Sequence, residues 1–339
     1  MRPSFRLQLT LAYALGLVAL VAVLAWMQGH MAARRAERDR ADTLLTLARS
    51  TSMMLADGLA DRLHEVELMA RSTPWNDRQW QGHLDTLQRM NSHVNWVGLV
   101  DAQGTVRVAT QGLLVGRDVS ARPWFQAALR GPHVGDVHPA PLLAPLLPPS
   151  VTGAPLRLID FAAPLRDAQG QAVGVLGVHV NWDWPQQVID ALRSPLARDQ
   201  GVRVFILDRQ AEVIHHPADA GGGARPADLA QGLADPSVQT WSDGARYLTA
   251  ASAVPARHPA ADLGWTVVAR QPLGQALADA RAARWTAALG GVLTAALVTL
   301  LAWRVTGHLT RPLHRIAAAA RELRAGRLDT PMPVVHRPR

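Results

Sequence analysis

The sequence predicts a mixed α/β protein: a long N-terminal helix, then two tandem antiparallel-sheet units, all set between two transmembrane helices. Three observations carry this. Two runs without a charged residue lie near the ends of the 339-residue chain, from Leu9 to Met27 and from Trp285 to Trp303. Each matches the ~20 apolar residues that cross a bilayer as a helix. After the first run comes a proline-free segment with helical apolar spacing, residues 31–71. Beyond it, short apolar runs alternate with a recurring turn, Asp-Ala-Gln-Gly at 101–104 and again at 167–170, which is the pattern of β-hairpins.

The elements follow in order. Residues 1–8 form a short N-terminal tail and 9–28 the first span. The run is long for a signal-peptide core, and no small-x-small cleavage site follows it, so an uncleaved anchor is expected. The second span covers 284–304; being apolar on all sides, it reads as membrane-spanning and not as a core helix. Trp26, Trp285 and Trp303 suit the membrane interface. The formal net charge of +8 locates both ends. Every basic residue among the 35 Lys plus Arg is Arg. Residues 1–8 carry +2, residues 304–339 carry +6, and everything between is neutral. The excess therefore flanks the spans, which is the positive-inside pattern with both termini cytoplasmic. Residues 29–283 then form a periplasmic domain of a two-span inner-membrane protein. Arg34, Arg35, Arg38 and Arg40 follow the first span on the outer side, partly offset by Glu37 and Asp39. A nucleic-acid partner would need a basic face on a folded domain, and the neutral middle region excludes it. With no cysteine, the fold stands on packing without disulfides.

Within residues 31–71, Leu44, Leu47, Leu55, Leu59, Leu63, Val66 and Ala70 recur mostly at steps of three or four, an amphipathic helix that Pro74 is expected to end. Asp57, Asp61, Glu65 and Glu67 read as its solvated face. Strand–turn–strand pairs are expected at 94–110, 156–182 and 202–217, the last turning at Asp208-Arg209-Gln210, with further strands at 245–254 and 264–272. These group into a distal unit at about 80–190 and a proximal unit at about 200–275. The Pro-rich stretch 138–155 and the Gly-rich stretch 218–228 read as surface loops, the first also placed to act as a lid.

Residues 118–131, "DVSARPWFQAALRG", carry the candidate site. Ser120 is expected as N-cap and Pro123 in the first turn of a short helix. The Arg122 guanidinium is a fork that pairs with carboxylate or phosphate. Trp124 and Phe125 can wall an apolar pocket. The competing reading makes the aromatics core and pairs Arg122 with an acid such as Asp118. Asp160, on the strand "RLIDF", faces either side of its sheet. His133, Asp136 and His138, in "PHVGDVH", read as loop residues; they have ligand-type side chains, but no metal is expected there. His215 and His216 would point to opposite faces of a strand.

The segments "VGLVDAQGTVRVAT", "GRDVSARPWFQAAL" and "RLIDFAAPLRDAQGQAVGVLGVHV" resemble the strand–turn–strand, Arg-x-Trp-aromatic helix start and closing hairpin of double Cache domains, the periplasmic sensors of bacterial receptors. The resemblance covers roughly residues 35–275 and implies two PAS-like (Cache) units. It also implies a small-molecule ligand, dimerisation along the long helix and no catalytic residue. Amino-acid-binding members of the family carry Tyr-x4-Arg-x-Trp-Tyr and a later Asp. Here Arg122 and Trp124 match, Phe125 replaces the second Tyr, Arg117 stands at the first Tyr, and His179 at the Asp. A histidine does not replace an anionic partner for an ammonium group. The expected ligand-binding set, Arg117, Arg122, Trp124, Phe125, His138, Asp160 and His179, therefore favours an organic acid. Residues 309–329, "LTRPLHRIAAAARELRAGRLD", resemble the first half of a HAMP linker. Pro312 starts a helix, Leu313, Ile316, Ala320 and Leu323 form an a/d seam, and Gly326-Arg327-Leu328 matches the connector. Only ten residues follow Asp329, among them Pro331, Pro333 and Pro338, so an incomplete HAMP in residues 305–339 is expected.

The function this favours is a ligand-sensing transmembrane receptor without a cofactor. The alternative is a truncated or orphan sensor that acts through a separate cytoplasmic output protein. An exported enzyme is the third class; no G-x-S-x-G, H-E-x-x-H or phosphate-binding Gly loop is present to support it.

Overall fold

The structure, a computed structural model, describes residues 5–72, 77–91, 93–147, 155–217 and 235–324. Pro74, the stretch 218–228 and the connector Gly326-Arg327-Leu328 lie outside them.

The chain divides into two compact units. The first comprises Met1–Asp39 and Leu277–Arg339, the second Arg40–Ala276. Helix α1 (Phe5–Ser72) begins in the first unit, and helix α7 (Ala278–Arg324) lies wholly in it. Both α1 and α7 contain a segment long and apolar enough to cross a membrane, with mean hydropathies of 1.7 and 1.8. Within this unit, glycines set how closely the helices approach. A Cβ added at Gly29 would lie 3.3 Å from the Cβ of Ala287, and one at Gly291 would lie 2.6 Å from that of Ala25. Small residues allow such close packing where lipid removes any hydrophobic drive between helices.

The second unit holds two five-stranded antiparallel sheets. In the distal module, α2 (Asp77–Met90) precedes β1 (Val94–Asp101) and β2 (Val106–Ala109). Then follow α3 (Pro123–Ala128), β3 (His133–Pro139), β4 (Arg157–Arg166) and β5 (Ala172–Asn181). After α4 (Trp184–Leu192) and α5 (Pro195–Asp199), the proximal module adds β6 (Arg203–Leu207), β7 (Val213–His215) and β8 (Ser237–Thr240). It ends with β9 (Arg246–Ala253), β10 (Thr266–Pro272) and α6 (Leu273–Ala276). The strand orders are β2-β1-β5-β4-β3 and β7-β6-β10-β9-β8, the same topology twice. The expected tandem repeat is thus present. Two strands were not foreseen: β3, expected as a loop, and β8.

The recurring turns share one device. Asp101 Oδ1 accepts the amides of Gln103 and Thr105, Asp167 Oδ1 those of Gln169 and Gln171, and Asp208 Oδ1 those of Gln210 and Glu212. Gly104 and Gly170 take positive φ at the turn, and Ala211 takes φ 62° in the third.

Both faces of the distal sheet are buried. Val97, Leu99, Ile159, Phe161, Leu176 and Val178 pack with Leu55, Leu59, Leu63 and Val66 of α1 and with Trp80 and Leu84 of α2. The same core continues through Leu44 and Ala48 of α1 to Val204, Ile206, Val267 and Ala269 of the proximal sheet. The alternate residues Trp96, Val100, Leu158, Ala162 and Val175 face outward into a second core with Trp124, Phe125 and Ala128 of α3. Burial on both sides hides the period-2 alternation a strand would otherwise show. The acids of α1 lie on the expected solvated face: Asp57, Asp61 and Glu65 are exposed, with Asp57 2.8 Å from Arg257, and Glu67, 3.4 Å from Arg71, is partly buried.

On the outer face the cross-strand partners Gly98 and Gly177 form a flat floor. A Cβ on Gly98 would stand 2.2 Å from the Trp96 ring, and one on Gly177 would stand 2.7 Å from the Trp124 ring.

Two outcomes follow. Gly177→Val forces Trp124 off the sheet and should cost about 1–3 kcal/mol, as overpacking does. An unchanged melting temperature would contradict this. Because the chain has no cysteine, Gly29→Cys with Ala287→Cys introduces a lone thiol pair at roughly disulfide spacing. Mild oxidation should lock it within one chain, and no intramolecular product would refute the packing.

Candidate functional site

The outer face of the distal sheet carries a row of side chains fixed by register. Trp96 on β1 lies opposite His179 on β5, His179 opposite Asp160 on β4, and Asp160 opposite Gly135 on β3. Because cross-strand partners share a face, this row is set by backbone pairing. A Cβ at Gly135 would crowd the Cβ of Asp160 at 3.2 Å. The His179 ring stacks on Trp96, centroids 4.9 Å apart, and meets Trp124 edge-on at 5.3 Å. Trp96 is held by donating its Nε1–H to Leu113 O at 3.0 Å.

Above this row lies a cavity of about 450 Å³. Its floor is Trp96, His179 and Asp160; its walls are Leu114, Val119, Pro123, Trp124 and Leu158 with His133, Val134, Gly135, Asp136 and His138 of β3; Arg122 and residues 139–143 close the rest. The expected lid stretch is thereby placed in part. Pro139 ends β3, Ala140 and Leu143 are buried in the outer core, and residues 148–154 lie outside the described residues.

Of the seven site residues expected from sequence, the structure brings Arg122, Trp124, His138, Asp160 and His179 to this cavity. Phe125 is buried behind Trp124, edge-on with centroids 6.1 Å apart, and does not line it. Arg117 is exposed and lies outside the lining; its backbone pairs with Val106. Sequence reasoning missed Trp96 and read His133 and His138 as loop residues, whereas both lie on β3. The N-cap of α3 is Arg122 itself, with φ −77°, ψ 131° and no side-chain cap. Ser120 is not the cap; its N–H donates to Asp118 Oδ1 at 2.8 Å. No ion pair joins Asp118 to Arg122, and among the described residues the Arg122 guanidinium has no hydrogen-bond partner.

Asp160 is the electrostatic centre. Its Oδ1 accepts a hydrogen bond from His179 Nδ1, and its Oδ2 accepts one from His138 Nε2 at 2.8 Å. Burial alone would push its carboxyl up. The charges and hydrogen bonds of His179 and His138 outweigh this and hold it well below the usual carboxylate range. The hydrogen bond to Asp160 raises His138 against burial and against the nearby Arg122. Burial lowers His133. The two histidines engage different oxygens of Asp160, and among the described residues no three His, Asp or Glu side chains converge as a metal would require. The arrangement offers an apolar enclosure, one unpaired guanidinium, and a carboxylate already occupied on both oxygens. Asp136, at the cavity wall, also accepts the Nε1–H of Trp265 at 3.0 Å, tying the site to the residue that precedes β10.

Comparison with known proteins agrees with this architecture. A Cache domain model of the double Cache type matches residues 32–280, and a HAMP domain model matches residues 304–339. Among solved structures, the chain is similar to the ligand-binding domain of the Pseudomonas aeruginosa amino acid chemoreceptor PctB in complex with L-Arg. Identity is 19%, the TM-score 0.50, and the match covers 71% of this chain and 98% of that one. The domain of Pseudomonas aeruginosa PctC in complex with GABA is 19% identical, with a TM-score of 0.48 and coverage of 67% and 96%. That of Pseudomonas fluorescens CtaA in complex with L-leucine is 16% identical, with a TM-score of 0.48 and coverage of 71% and 98%. The repeated sheet topology and the match over well over half of its residues show that the chain belongs to the Cache domain family, as a double Cache sensor followed by a HAMP segment.

Proposed function

We propose that this chain is a transmembrane receptor that binds a small organic acid outside the cytoplasmic membrane and passes the occupancy of the distal module to its HAMP segment. The observation that carries the ligand class is Arg122. An unpaired guanidinium at the edge of a largely apolar cavity binds a carboxylate through two parallel charge-assisted hydrogen bonds. Trp96, Trp124 and Leu158 then enclose the rest of the ligand. On this reading the sensor domain lies in the periplasm of an inner-membrane protein, and the arginine excess outside the two spans supports its sidedness. It acts as a homodimer, and its output is carried beyond the HAMP segment or by a separate cytoplasmic partner. The role is binding, without catalysis.

Signalling requires only that ligand favour one of two conformations by differential affinity. Asp136 and Trp265 supply a physical link. A ligand that shifts β3 acts on Trp265, and Trp265 leads directly into β10, α6 and α7. Amino acids are bound by the receptors with this fold that were compared above; here they form the natural counter-panel.

A thermal-shift panel on the full chain in detergent tests the reading. An organic acid at 100 times its dissociation constant adds about 2.7 kcal/mol, a rise of roughly 5–10 °C. Arg122→Ala should weaken binding by about 10- to 100-fold, the worth of a hydrogen bond to a charged group. A panel without any shift, or a shift that persists in Arg122→Ala, would make Trp124 and its neighbours packing residues only.

A further inference from the structure

We propose that the cavity takes its ligand carboxylate together with a proton, and that His138 sets this. The site binds monocarboxylates with an apolar body, and does so while His138 is an imidazolium. This rests on the reading of the cavity as a carboxylate site.

Both ring nitrogens of His138 are engaged. His138 Nδ1 lies 2.7 Å from the carbonyl oxygen of Pro139, and Nε2 lies 2.8 Å from Asp160 Oδ2. A carbonyl and an ionised carboxylate only accept. Both ring nitrogens must therefore donate, which only the imidazolium does. His138 thus cancels the charge that Asp160 places at the floor. The other charged or titratable groups about it are few. Arg122 faces it from the head of α3. His179 of β5 holds the second oxygen of Asp160. His133 and Asp136 share its strand; burial lowers the first, and the second is turned to Trp265. Arg157, cross-strand from Pro139, donates to Ile214 O at 2.7 Å. Residues 139–147 bring no charge.

With His138 protonated, the charge of Asp160 is offset and the Arg122 guanidinium is left to meet a ligand carboxylate. With His138 neutral, Asp160 offsets Arg122, and one of the two acceptors loses its donor. A second ligand charge would be desolvated among Trp96, Trp124, Leu143 and Leu158 without a partner, which is costly. At Asp160 an ammonium group would have to compete with the histidines that already engage both oxygens, while Asp136 on the wall accepts the Val137 N–H and the Trp265 indole on one oxygen. The sign of the pH effect follows. His138 is raised by Asp160, so its charge is present below its folded pKa and lost as pH rises through it. Anion binding therefore weakens on the alkaline side, and binding below saturation of His138 takes up protons.

The test is titration calorimetry of the full chain in lipid nanodiscs with phenylacetate and isovalerate. It is run between about pH 5.5 and 8.5, where histidine titrates, in two buffers of different ionisation heat. Affinity should fall by up to about tenfold per pH unit above the His138 titration, with up to about one proton taken up per ligand. His138→Gln, which keeps a donor toward Asp160, should bind weakly at every pH with neither slope nor proton uptake. A wild-type affinity that does not change with pH, or a slope that survives in His138→Gln, overturns the proposal. Arg122→Ala separates it from the underlying reading: weaker binding with the slope retained supports both. Affinity unchanged in Arg122→Ala, or no binding of either acid at any pH, removes the carboxylate site and the proposal with it. The pH series on the wild type needs no variant to fold.

Discussion

A buried carboxylate held between two imidazoles is the constraint on which the site depends. Asp160 lies in a sheet whose two faces are both covered, and burying an unpaired carboxylate would cost far more than a surface one. His179 reaches it from the neighbouring strand and His138 from across a glycine, so each oxygen has its own donor. Three strands must hold their register for this to occur. One residue of slippage would turn Asp160 toward the long helix and its leucines. The same pairing fixes much of what surrounds it: it stacks the His179 ring on Trp96 and sets it edge-on to Trp124, and beside them Arg122 has no hydrogen-bond partner among the described residues.

The two modules show how one topology serves two ends. The turn aspartates align them, Asp101 with Asp208, which places Arg203 where the distal module has Trp96. Arg270, opposite Arg203, then stands where the distal module has His179. In the distal module that position opens onto a cavity. In the proximal one, the Arg270 guanidinium lies 4.0 Å over the rings of both Trp241 and Tyr247 and 4.8 Å over Phe205. Its own side chain is enclosed by aromatics there, a favourable contact for a desolvated cation. A ligand bound in the distal module, as proposed, would occupy the space that Arg270 fills in the proximal one.

Much of this was legible in the sequence, for physical reasons that differ from one element to the next. The hairpins could be read because an aspartate accepting two turn amides leaves a local signature, repeated three times. The long helix could be read because its apolar spacing runs without a proline. Strand β3 could not: His133-Val-Gly-Asp-Val-His-Pro mixes polar residues with a terminal proline, and its pairing with β4 is a long-range fact. The side on which Asp160 lies was equally hidden, because a strand buried on both faces shows no alternation. Arg117 was drawn in by its spacing from Arg122, but the turn between Leu114 and Val119 leaves it in solvent. Trp96 was overlooked as part of the site's floor. Its signal was the glycine two residues on, which leaves room for an indole lying flat on the strand.

The proposed site depends on the protonation of the two histidines about Asp160. Nitrogen-15 NMR of the full chain labelled at histidine, near neutral pH, measures it directly. The geometry requires His138 with a proton on each ring nitrogen, and His179 with a proton on Nδ1, the nitrogen bonded to Asp160. Both patterns should collapse in Asp160→Asn. A His138 that is neutral at the same pH, or a His179 carrying its only proton on Nε2, would contradict the account.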